Sequence, residues 1–568
     1  MLTLGIHDGH NASICLMRDG KIEYVIQEER PTAEKNRHDF PFAAIKLMFE
    51  KTGLKPSDID EIGMNGHTIG KPRDRKGILD QYRGFMKPAT LLSIKKNLQQ
   101  IPFIYNQYVA KNQAMRFGNL AKAGFTDKSK VKFVEHHLTH ASSAYYGNGN
   151  FTDDVLVLTN DGSGDGLCAT VSIGSKGELK RIAEVKENHS VASLYAFYTF
   201  LNGMVPLEHE YKMMGMAPYA GKSGSKKIAD EFRAMFQFTG DGTTWEFTKG
   251  KSISDAANFL YEFMFLKRFD YLMGGLQMFT EDFLVDWIRA CIKKTGIKKV
   301  ALAGGIFMNV KANKRIMEMP EVEEIFIFPS CGDESNPIGL CWHLQHQQYL
   351  KNFELTNIYW GIEYSNEQVK ASFDKYQFKQ QYKITYYDDI EQKAAELLNA
   401  NNVVGRFRGR EEFGARSLGN RALVANPATS EVIKEINEMI KSRDFWMPFA
   451  CSVLDEYYDK YVVDYGKNKP YYMILTYDTK PAAQQIKAGV HPYDGTVRPQ
   501  LVTTKHNARY HDMIKKFSQL SGIGGVLNTS LNLHGLPLVH SPEDAFYLME
   551  NSSLKYLAIE NYLVEKTA

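Results

Sequence analysis

A strand-and-turn pattern that occurs twice constrains the fold more than any other feature of this 568-residue chain. The first copy reads L-T-L-G-I-H-D-G-H-N-A-S-I-C-L-M-R-D-G-K-I-E-Y-V-I from Leu2, and the second reads D-V-L-V-L-T-N-D-G-S-G-D-G-L-C-A-T-V-S-I from Asp154. In each copy, short apolar runs alternate with glycine turns, which predicts three strands joined by hairpins. The repeat predicts two similar α/β halves that face each other across a cleft, with Asp8-Gly9 and Asp161-Gly162 at equivalent turns.

The glycine-rich turns have two interpretations. Asp-Gly is a common hairpin turn, whereas backbone N–H groups left exposed by glycine can bind a phosphate, and the repeated order favours the second interpretation. The strand-like K-K-V-A-L-A that ends at Ala303 leads into Gly304-Gly305 and a helical pattern. These two glycines fit the approach of a nucleotide to a helix N-terminus and, equally well, a tight strand-to-helix turn.

A change of pattern marks a domain boundary. A predicted strand over Glu324–Phe328 runs into a loop that carries Asp333, and the strand-and-glycine pattern then fades between Leu344 and Asn357. A chain of this length exceeds one ordinary hydrophobic core. We therefore predict a first domain over residues 1–355 and a second over 356–568.

Three of the sixteen histidines lie within five positions of the stretch V-E-H-H-L-T-H-A-S-S-A-Y-Y. If this stretch is helical, His136 and His140 lie one turn apart on one face, and His137 points elsewhere. This is the geometry of two metal ligands, but the same spacing also occurs on polar helix faces and among buried, hydrogen-bonded histidines. The stretch itself supplies no further ligands.

Composition restricts the classes of partner. The formal net charge of +3 gives no general reason to expect binding to nucleic acid or to a membrane. The six cysteines have no paired short spacing, so we expect reduced thiols and not a disulfide framework. The sequence has no signal-peptide pattern and no apolar run long enough to span a bilayer. We expect a cytoplasmic protein.

Arginine and glycine are concentrated in the second half, in V-V-G-R-F-R-G-R-E-E-F-G-A-R-S-L-G-N-R. The planar guanidinium matches phosphate oxygens, so the stretch predicts an anion site for a polyphosphate. Nucleic-acid binding and a solvated basic face are the competing interpretations. Downstream, Lys441–Arg443 (K-S-R) and Asn528–Asn532 (N-T-S-L-N) offer cations, a hydroxyl and amides that together suit a carbonyl group and attached phosphates.

In combination, these motifs resemble the NodU/CmcH family of O-carbamoyltransferases over nearly the whole chain. The resemblance rests on H-H-L-T-H, L-T-N-D-G-S-G-D-G, E-Y-K-M-M-G-M-A-P-Y, L-A-G-G-I-F-M-N, R-E-E-F-G-A-R-S-L-G-N-R, W-M-P-F-A, D-G-T-V-R-P-Q and N-T-S-L-N. It implies an α/β protein with a duplicated actin-like (ASKHA) N-terminal domain. A YrdC-like α/β domain, expected to form carbamoyl-adenylate, would follow.

The resemblance also implies the residues of two sites. In the first domain it implies a divalent metal, usually taken as Fe²⁺, although zinc or manganese fits by ligand type, bound by His136, His140, Asp161 and Asp333. In the second domain it implies binding of ATP and carbamoyl phosphate. The residues implied there are the K-x-R and S-x-N pairs, together with arginines that hold phosphates: Lys441, Arg443, Ser530, Asn532, Asn528, Arg416, Arg421 and Arg498. One departure is that Asp444-Phe445 follows the K-x-R pair, where relatives often have Glu and a further Arg.

The implied mechanism has two half-reactions. Carbamoyl phosphate loses phosphate, and the carbamate attacks the α-phosphorus of Mg²⁺-ATP to give carbamoyl-adenylate and pyrophosphate. The adenylate then moves to the actin-like cleft, where Gly304, Gly305 and the segment around Lys212 would hold the adenosine. There the carbamoyl group passes to a hydroxyl of a sugar or other small molecule. His10 either orients this acceptor and serves as base, or is a turn histidine without a role.

Three other classes of protein remain open at this stage. An actin-like sugar kinase or ATPase needs only the glycine hairpins and leaves the histidine pair and the second half unexplained. A threonylcarbamoyl transferase acting on tRNA shares both domain types, and the near-neutral charge argues mildly against it. An actin-like assembly protein is the third. The oligomeric state is left open, with a homodimer among the expectations.

Overall fold

The computed structural model describes residues 1–70, 72–86, 102–349, 355–441 and 443–567, and only the backbone of residues 102, 105, 439 and 441. The chain forms two compact units. The first unit contains Met1–Glu28 and Asn36–Glu354, and the second contains Glu29–Lys35 and Leu355–Ala568. The short segment Glu29–Lys35 therefore groups with the second unit, although it lies in the part of the sequence that we predicted to be wholly the first domain.

The first sheet of the first unit has five strands in the order β3-β2-β1-β4-β5. They are β1 (Leu2–His7), β2 (Ser13–Arg18), β3 (Lys21–Gln27), β4 (Glu61–Asn65) and β5 (Val131–Val134). β1 pairs antiparallel with β2, and β4 lies parallel to β1, with Gly5 opposite Cys15 on one side and Gly63 on the other. The first three strands thus form the meander that the first copy of the repeat predicts.

The second sheet has the same order when it is followed from its other edge. The remaining strands of the unit are β6 (Val155–Gly164), β7 (Leu167–Ser175), β8 (Glu178–Lys186), β9 (Phe236–Thr239), β10 (Thr244–Phe247), β11 (Lys299–Ala303) and β12 (Glu324–Ile327). β8-β7-β6 form an antiparallel meander, and β11 and β12 continue in parallel beyond β6, while β9 and β10 form a separate ribbon. The identical order of the two sheets confirms the predicted duplicated α/β fold.

Helices cover these sheets. The α-helices of the first unit are Phe42–Thr52, Arg75–Phe85, Pro102–Lys122, His136–Asn148, Val191–Leu201, Glu210–Met216, Lys222–Arg233, Ala257–Met264, Phe269–Thr295, Val310–Met317 and Asn336–Tyr349. Single 3₁₀ turns lie at Pro56–Asp58, Lys128–Lys130, Glu187–His189, Ala217–Tyr219, Gly305–Met308 and Asp333–Ser335. Two of the α-helices pack closely, because a Cβ at Gly339 would lie 2.0 Å from the carbonyl oxygen of Thr139. Only glycine permits that approach, and it brings Asp333 towards the histidines.

The second unit is built on one mixed sheet of eight strands in the order β13-β22-β21-β14-β15-β20-β16-β19. Its strands, including the small ribbon β17-β18, are β13 (Tyr382–Tyr386), β14 (Val404–Phe407), β15 (Arg421–Ala425), β16 (Ala450–Leu454), β17 (Tyr477–Asp478), β18 (Thr496–Val497), β19 (Gln500–Val502), β20 (Gly525–Ser530), β21 (Tyr556–Ile559) and β22 (Tyr562–Lys566). Its helical segments are Glu29–Thr32, Asn366–Lys375, Ile390–Asn399, Glu431–Ile436, the π-turn Asn437–Lys441, Asp455–Tyr461, the 3₁₀ segment Pro481–Gly489, Thr504–Ser521 and Pro542–Glu550.

Alternate residues of the central strands of this sheet enter two hydrophobic clusters. Phe407 and Leu423 belong to one cluster, and Val404 and Val424 to the other. Strands buried on both faces read as continuous apolar runs, because side chains alternate between the two faces. Throughout the described ranges, no helix has the length and apolarity needed to cross a membrane. All six cysteines are buried as free thiols.

Candidate metal centre and arginine cluster

The helix His136–Asn148 begins at a well-defined cap. The carboxylate of Glu135 accepts hydrogen bonds from the backbone N–H groups of His137 and Leu138, at 3.0 and 2.8 Å. Such capping satisfies donors that have no partner inside the helix. The cap fixes the first turn, so His136 and His140 project from one face, as the spacing predicts. His137 points to a different environment, where its Nδ1 lies 2.9 Å from the Thr159 hydroxyl.

Two aspartates from distant parts of the first unit meet this pair of histidines. The Nε2 atom of His136 lies 3.2 Å from Asp161 Oδ2 and 3.5 Å from Asp333 Oδ1. The Nε2 atom of His140 lies 3.8 Å from Asp161 Oδ2 and 3.3 Å from Asp333 Oδ1. One ligand atom from each of the four residues lies within 4.8 Å of all the others. Asp161 lies in the last part of β6 and not in the turn predicted from the sequence, because the strand continues to Gly164 and the chain turns at Asp165-Gly166. β6 and the loop after β12 thus converge on the histidine helix.

The four groups are electrostatically complementary. Burial disfavours charge on His136, but the nearby Asp333 and Asp161 carboxylates outweigh it and raise its pKa to about 9. The pKa of His140 is also raised by these carboxylates against the effect of burial. The histidines in turn hold the pKa values of Asp161 and Asp333 below the ordinary range despite burial. Two half-buried carboxylates here need positive charge, which either imidazolium or a bound cation can supply.

The donor set fits a divalent metal. Two imidazole nitrogens and two carboxylate oxygens suit iron, zinc or manganese by ligand type. Ligands about 2.0–2.2 Å from one ion lie at most about 4.4 Å apart, so small side-chain shifts suffice to bring these four atoms onto one ion. The chemistry of the donors does not select one metal among the three.

A further layer of polar groups orients these side chains. The Asp165 carboxylate accepts hydrogen bonds from the backbone N–H groups of His67, Thr68 and His136 at distances of 2.9–3.0 Å. The Asn65 side-chain amide contacts Nδ1 of His136 at 3.3 Å. Groups of this kind fix the rotamers of metal ligands and tune their affinity. The D-G-S-G-D-G sequence contains both Asp161 and Asp165, but the motif alone assigns no role to the second aspartate.

The glycine pair after β11 supports the same site. Gly304 has a φ of +104°, and a Cβ there would lie 2.3 Å from the Asn160 carbonyl oxygen. The N–H of Gly305 donates to Asp161 Oδ1 at 3.1 Å. The close approach that requires two glycines is therefore to β6 and to the Asp161 carboxylate. The sequence allowed two interpretations of this glycine pair, a tight strand-to-helix turn and a nucleotide site. The contact with Asp161 agrees with the tight turn, and nucleotide binding stays a prediction.

His10 and Lys212 also lie in the first unit. His10 Nε2 lies 3.1 Å from the Leu207 carbonyl oxygen, and its Nδ1 is buried with no hydrogen-bond partner among the described residues. The backbone of His10 reaches the centre through His7, whose Nε2 lies 2.8 Å from the His10 carbonyl and 3.7 Å from Asp333 Oδ2. Burial lowers the pKa of His7 to about 4, so this imidazole is neutral near pH 7. Lys212 is half-buried in the short helix Glu210–Met216.

The second unit changes the interpretation of the arginine-rich stretch. Arg406 and Arg408 are buried and both contact Glu391 Oε1 at 3.1 Å. Arg410 donates to the carbonyls of Trp360 and Gly361. Arg421 is fully buried, lies 3.6 Å from the centre of the Phe407 ring and donates only to backbone carbonyls among the described residues. The contacts of these four arginines are with groups of the second unit itself, so they support its fold.

Arg416, in contrast, meets two arginines from distant parts of the chain. Burial and the proximity of Arg416 and Arg443 hold the pKa of Arg498 well below its ordinary value. Arg443 donates to the Pro448 carbonyl at 3.3 Å and lies 4.6 Å from the centre of the Phe449 ring. Three guanidinium groups close enough to repel one another favour an anion between them. We refer to Arg416, Arg443 and Arg498 as the arginine cluster.

The remaining predicted site residues of the second unit differ in their burial and in their contacts. Asn528 is buried and donates to the Ser417 carbonyl at 3.1 Å, which is a structural contact. Ser530 and Asn532 are half-buried and joined by a hydrogen bond of 2.6 Å. The side chain of Lys441 and the whole of Ser442 lie outside the described residues.

Several residues that matter to these sites carry no signal in a single sequence. The salt bridge of Arg116 with Asp8 is buried, with its two N–O contacts at 2.6 and 2.9 Å, and holds the first Asp-Gly turn. Asn65 and His7 likewise meet the centre only through the fold. Their partners lie more than fifty positions away, so spacing rules do not detect them.

Comparison with known proteins identifies the family to which the chain belongs. The family model described as Carbamoyltransferase N-terminus matches residues 3–341, and the model described as Carbamoyltransferase C-terminus matches residues 395–566. An uncharacterized protein of Synechocystis sp. is 28% identical over 601 aligned positions, covering 98% of this chain and 95% of the relative. Nodulation protein NolNO of Sinorhizobium fredii is 27% identical, covering 98% of this chain and 79% of its own length.

Among solved structures, full-length HypF in its phosphate- and nucleotide-bound form aligns with 60% of this chain and 54% of HypF. The aligned parts are 14% identical and have a TM-score of 0.30. Similarity at this level transfers neither the fold nor the ligands of HypF to this chain.

Proposed function

Since the chain belongs to the carbamoyltransferase family and is therefore a transferase enzyme, we propose that it is an ATP-dependent O-carbamoyltransferase with two sites. The second unit would make carbamoyl-adenylate from ATP, bound with Mg²⁺, and carbamoyl phosphate. The first unit would transfer the carbamoyl group to a hydroxyl of a sugar or other small molecule. The observation that carries the proposal is the convergence of His136, His140, Asp161 and Asp333 in a chain of this family.

The proposed first half-reaction depends on positive charge. Water takes the phosphoryl group of carbamoyl phosphate as inorganic phosphate, and an oxygen of the remaining carbamate attacks the α-phosphorus of ATP while pyrophosphate leaves. Arg416, Arg443 and Arg498 would bind the phosphate oxygens and offset the charge that accumulates during this displacement. We assign the K-x-R lysine, Lys441, to the same task on the strength of the family motif. Ser530 and Asn532 would hold the carbamoyl carbonyl and amide.

The proposed second half-reaction takes place at the metal centre. We assign the metal ligands to His136, His140, Asp161 and Asp333, with Fe²⁺ as the first candidate on the family expectation. When bound there, a divalent ion supplies Lewis acidity to the carbamoyl carbonyl. His10 would orient the acceptor hydroxyl or take its proton, because its Nδ1 has no other partner among the described residues. Gly304, Gly305 and Lys212 are proposed to hold the adenosine, and AMP leaves with its phosphate intact.

The experiment separates the half-reactions. With ATP, carbamoyl phosphate and Mg²⁺ but no acceptor, the wild type should release pyrophosphate. Arg416→Ala should not, whereas Arg289→Ala, an exposed arginine of the first unit, should match the wild type. Addition of hydroxyl acceptors should then give a carbamate ester and AMP. Formation of ADP and a phosphorylated acceptor would instead identify a kinase, and retention on bulk tRNA at physiological salt would favour a tRNA-directed transferase.

A further inference from the structure

The second unit contains one short segment from the N-terminal part of the sequence. Glu29–Lys35 leaves the first unit immediately after β3 and Glu28, forms a single helical turn at Glu29–Thr32, and groups with the second unit. Arg30 is the residue of this turn that is buried, with 5% of its surface exposed. A buried guanidinium must be neutralised and hydrogen-bonded to be tolerated. Its partners therefore reveal what the segment does.

Arg30 joins two positions of the loop that leads to Arg416. Its Nε lies 3.0 Å from Oε1 of Glu411, and one terminal nitrogen donates to the Gly414 carbonyl at 2.8 Å. The other carboxylate oxygen of Glu411 lies 2.8 Å from Nδ1 of His540. One guanidinium thus connects the start of the loop with the peptide two residues before Arg416. Gly414 has a φ of +94°, so the chain turns sharply at that peptide.

The far side of the same loop is held by a second buried carboxylate. Oε1 of Glu412 accepts hydrogen bonds from the Ser417 hydroxyl and from the backbone N–H groups of Leu418, Asn420 and Arg421, at 2.7–3.2 Å. Glu412 therefore fixes the residues after Arg416, and Arg30 fixes the residue before Ala415. Arg416 lies between these two anchors in the loop, and its charge is near enough to Arg498 to lower the pKa of that guanidinium.

We propose that Arg30 is a positioning residue of the phosphate site in the second unit, acting through Gly414 and Glu411 to hold Arg416 in place. This inference rests on the proposed function only in naming ATP and carbamoyl phosphate as the anions bound. The segment Glu29–Lys35 thereby helps to hold a loop that lies more than 380 positions further along the sequence. Arg30 itself contacts no substrate in this proposal.

The test compares Arg30→Gln and Arg30→Lys with a matched control, Arg18→Gln, which removes an exposed arginine paired with Glu23. ATP binding is measured by calorimetry on the full chain, and pyrophosphate release gives KM for carbamoyl phosphate. Loss of a charge-assisted bridge to a loop should weaken ATP binding and raise KM by about tenfold or more in Arg30→Gln. Arg30→Lys keeps the charge but not the fork, so it should fall between Arg30→Gln and the wild type.

A purely structural role would give another result. Melting temperature and the active fraction would fall in both variants, while ATP affinity and KM of the folded fraction would stay at wild-type values, and that outcome overturns the inference. Glu411→Gln provides a second route if Arg30→Gln does not fold, since it removes the same bridge and should raise KM similarly. If the wild type binds ATP but releases no pyrophosphate, the proposed reaction fails while the ATP affinities still test Arg30. If the wild type binds no ATP, both proposals fail.

Discussion

The candidate metal centre of the first unit and the arginine cluster of the second have opposite electrostatic requirements. At the candidate metal centre, two carboxylates and two imidazoles stabilise one another's charged forms. The Nε2 atom of each histidine lies within 3.8 Å of a carboxylate oxygen of both aspartates. At the cluster, the pKa of the half-buried Arg498 is lowered by desolvation and by two neighbouring guanidinium groups. The carboxylates of the first arrangement can be neutralised by imidazolium or by a bound cation, and the guanidinium groups of the second by an anion. The two sites are therefore suited to ligands of opposite charge.

The two sites also differ in how local their sequence signals are. His136 and His140 lie on one helix, and the repeated strand-and-turn pattern contains Asp161, at the end of β6, so three of the four residues lie in local sequence patterns. The arginine-rich stretch is a weaker guide to ligand-binding residues, because Arg406 and Arg408 pair with Glu391. Only Arg416 from that stretch joins the cluster. Histidine spacing led to a group of residues that could hold a metal ion, whereas arginine density alone does not separate residues of the arginine cluster from arginines paired within the fold.

The largest expected effect is at the metal centre. His136→Ala should lose bound metal and reduce carbamoyl transfer by at least about 10³-fold, since an open ligand position removes the Lewis acid. Pyrophosphate release without acceptor should persist, because the arginine cluster is untouched. Elemental analysis and the two half-reaction assays measure these effects.

The matched control for this experiment is His137→Ala. His137 contacts Thr159 and points away from the two aspartates, so its replacement should leave the metal content unchanged. Equal metal retention in the His136 and His137 variants would remove the ligand assignment. Loss of pyrophosphate release in His136→Ala would mean that the two sites do not divide the reaction as proposed.

The second prediction compares two arginines of the second unit. Arg498→Ala should weaken binding of ATP and carbamoyl phosphate by about 10–100-fold, with no loss in the free energy of unfolding, because a repelled half-buried cation is removed. Arg408→Ala should instead lower the free energy of unfolding by about 3 kcal/mol, since Glu391 and Glu560 lose a buried partner. Calorimetry and urea unfolding give the two quantities. A reversal of this pattern would place the anion site around Arg408.

These cases show which structural features can be predicted from a single sequence. The three-strand meander at the start of each half of the first unit could be predicted, because glycine turns and apolar runs are local features, whereas the two parallel strands added to each sheet could not. The pairing of Arg116 with Asp8, and of Arg30 with Glu411, could not, since each joins parts of the chain that meet only in the folded state. The same reason applies to the contacts of Arg421, whose role as a phosphate ligand stays a prediction. Its backbone partners, such as the Ile362 carbonyl, are invisible to a motif.

The third prediction concerns the residue that supports the centre without joining it. Asp165→Asn keeps the size of the side chain but offers one acceptor oxygen where the carboxylate serves three backbone N–H groups. Metal affinity should fall by about 10–100-fold, as for other residues that orient metal ligands. Asp80→Asn, an exposed aspartate paired with Arg83, is the control. Unchanged metal affinity in a chelator competition would show that Asp165 only shapes the loop.

The smallest expected effect is a difference in pH response between the two units. Burial raises the pKa of Glu210 in the first unit to about 7. Its contribution to stability is therefore present at low pH and lost as pH rises from about 4.5 through 7. In the second unit burial acts on Glu411 in the same direction, but His540 and Arg30 outweigh it and hold the pKa of Glu411 below its ordinary value. That contribution is present above about pH 4.5 and lost as pH falls through the depressed pKa.

Urea unfolding at several pH values should separate these two carboxyl groups. Glu210→Gln should gain stability over the wild type at pH 8 and show no gain near pH 4.5, because glutamine cannot ionise. Glu411→Gln should lose stability at pH 8, and its deficit should shrink as the pH falls below 4.5 and the wild-type carboxylate takes up a proton. If both variants changed stability in the same direction at pH 8, the opposite environments inferred for the two carboxyl groups would be wrong. The difference between the two units would then rest on the candidate metal centre and the arginine cluster alone.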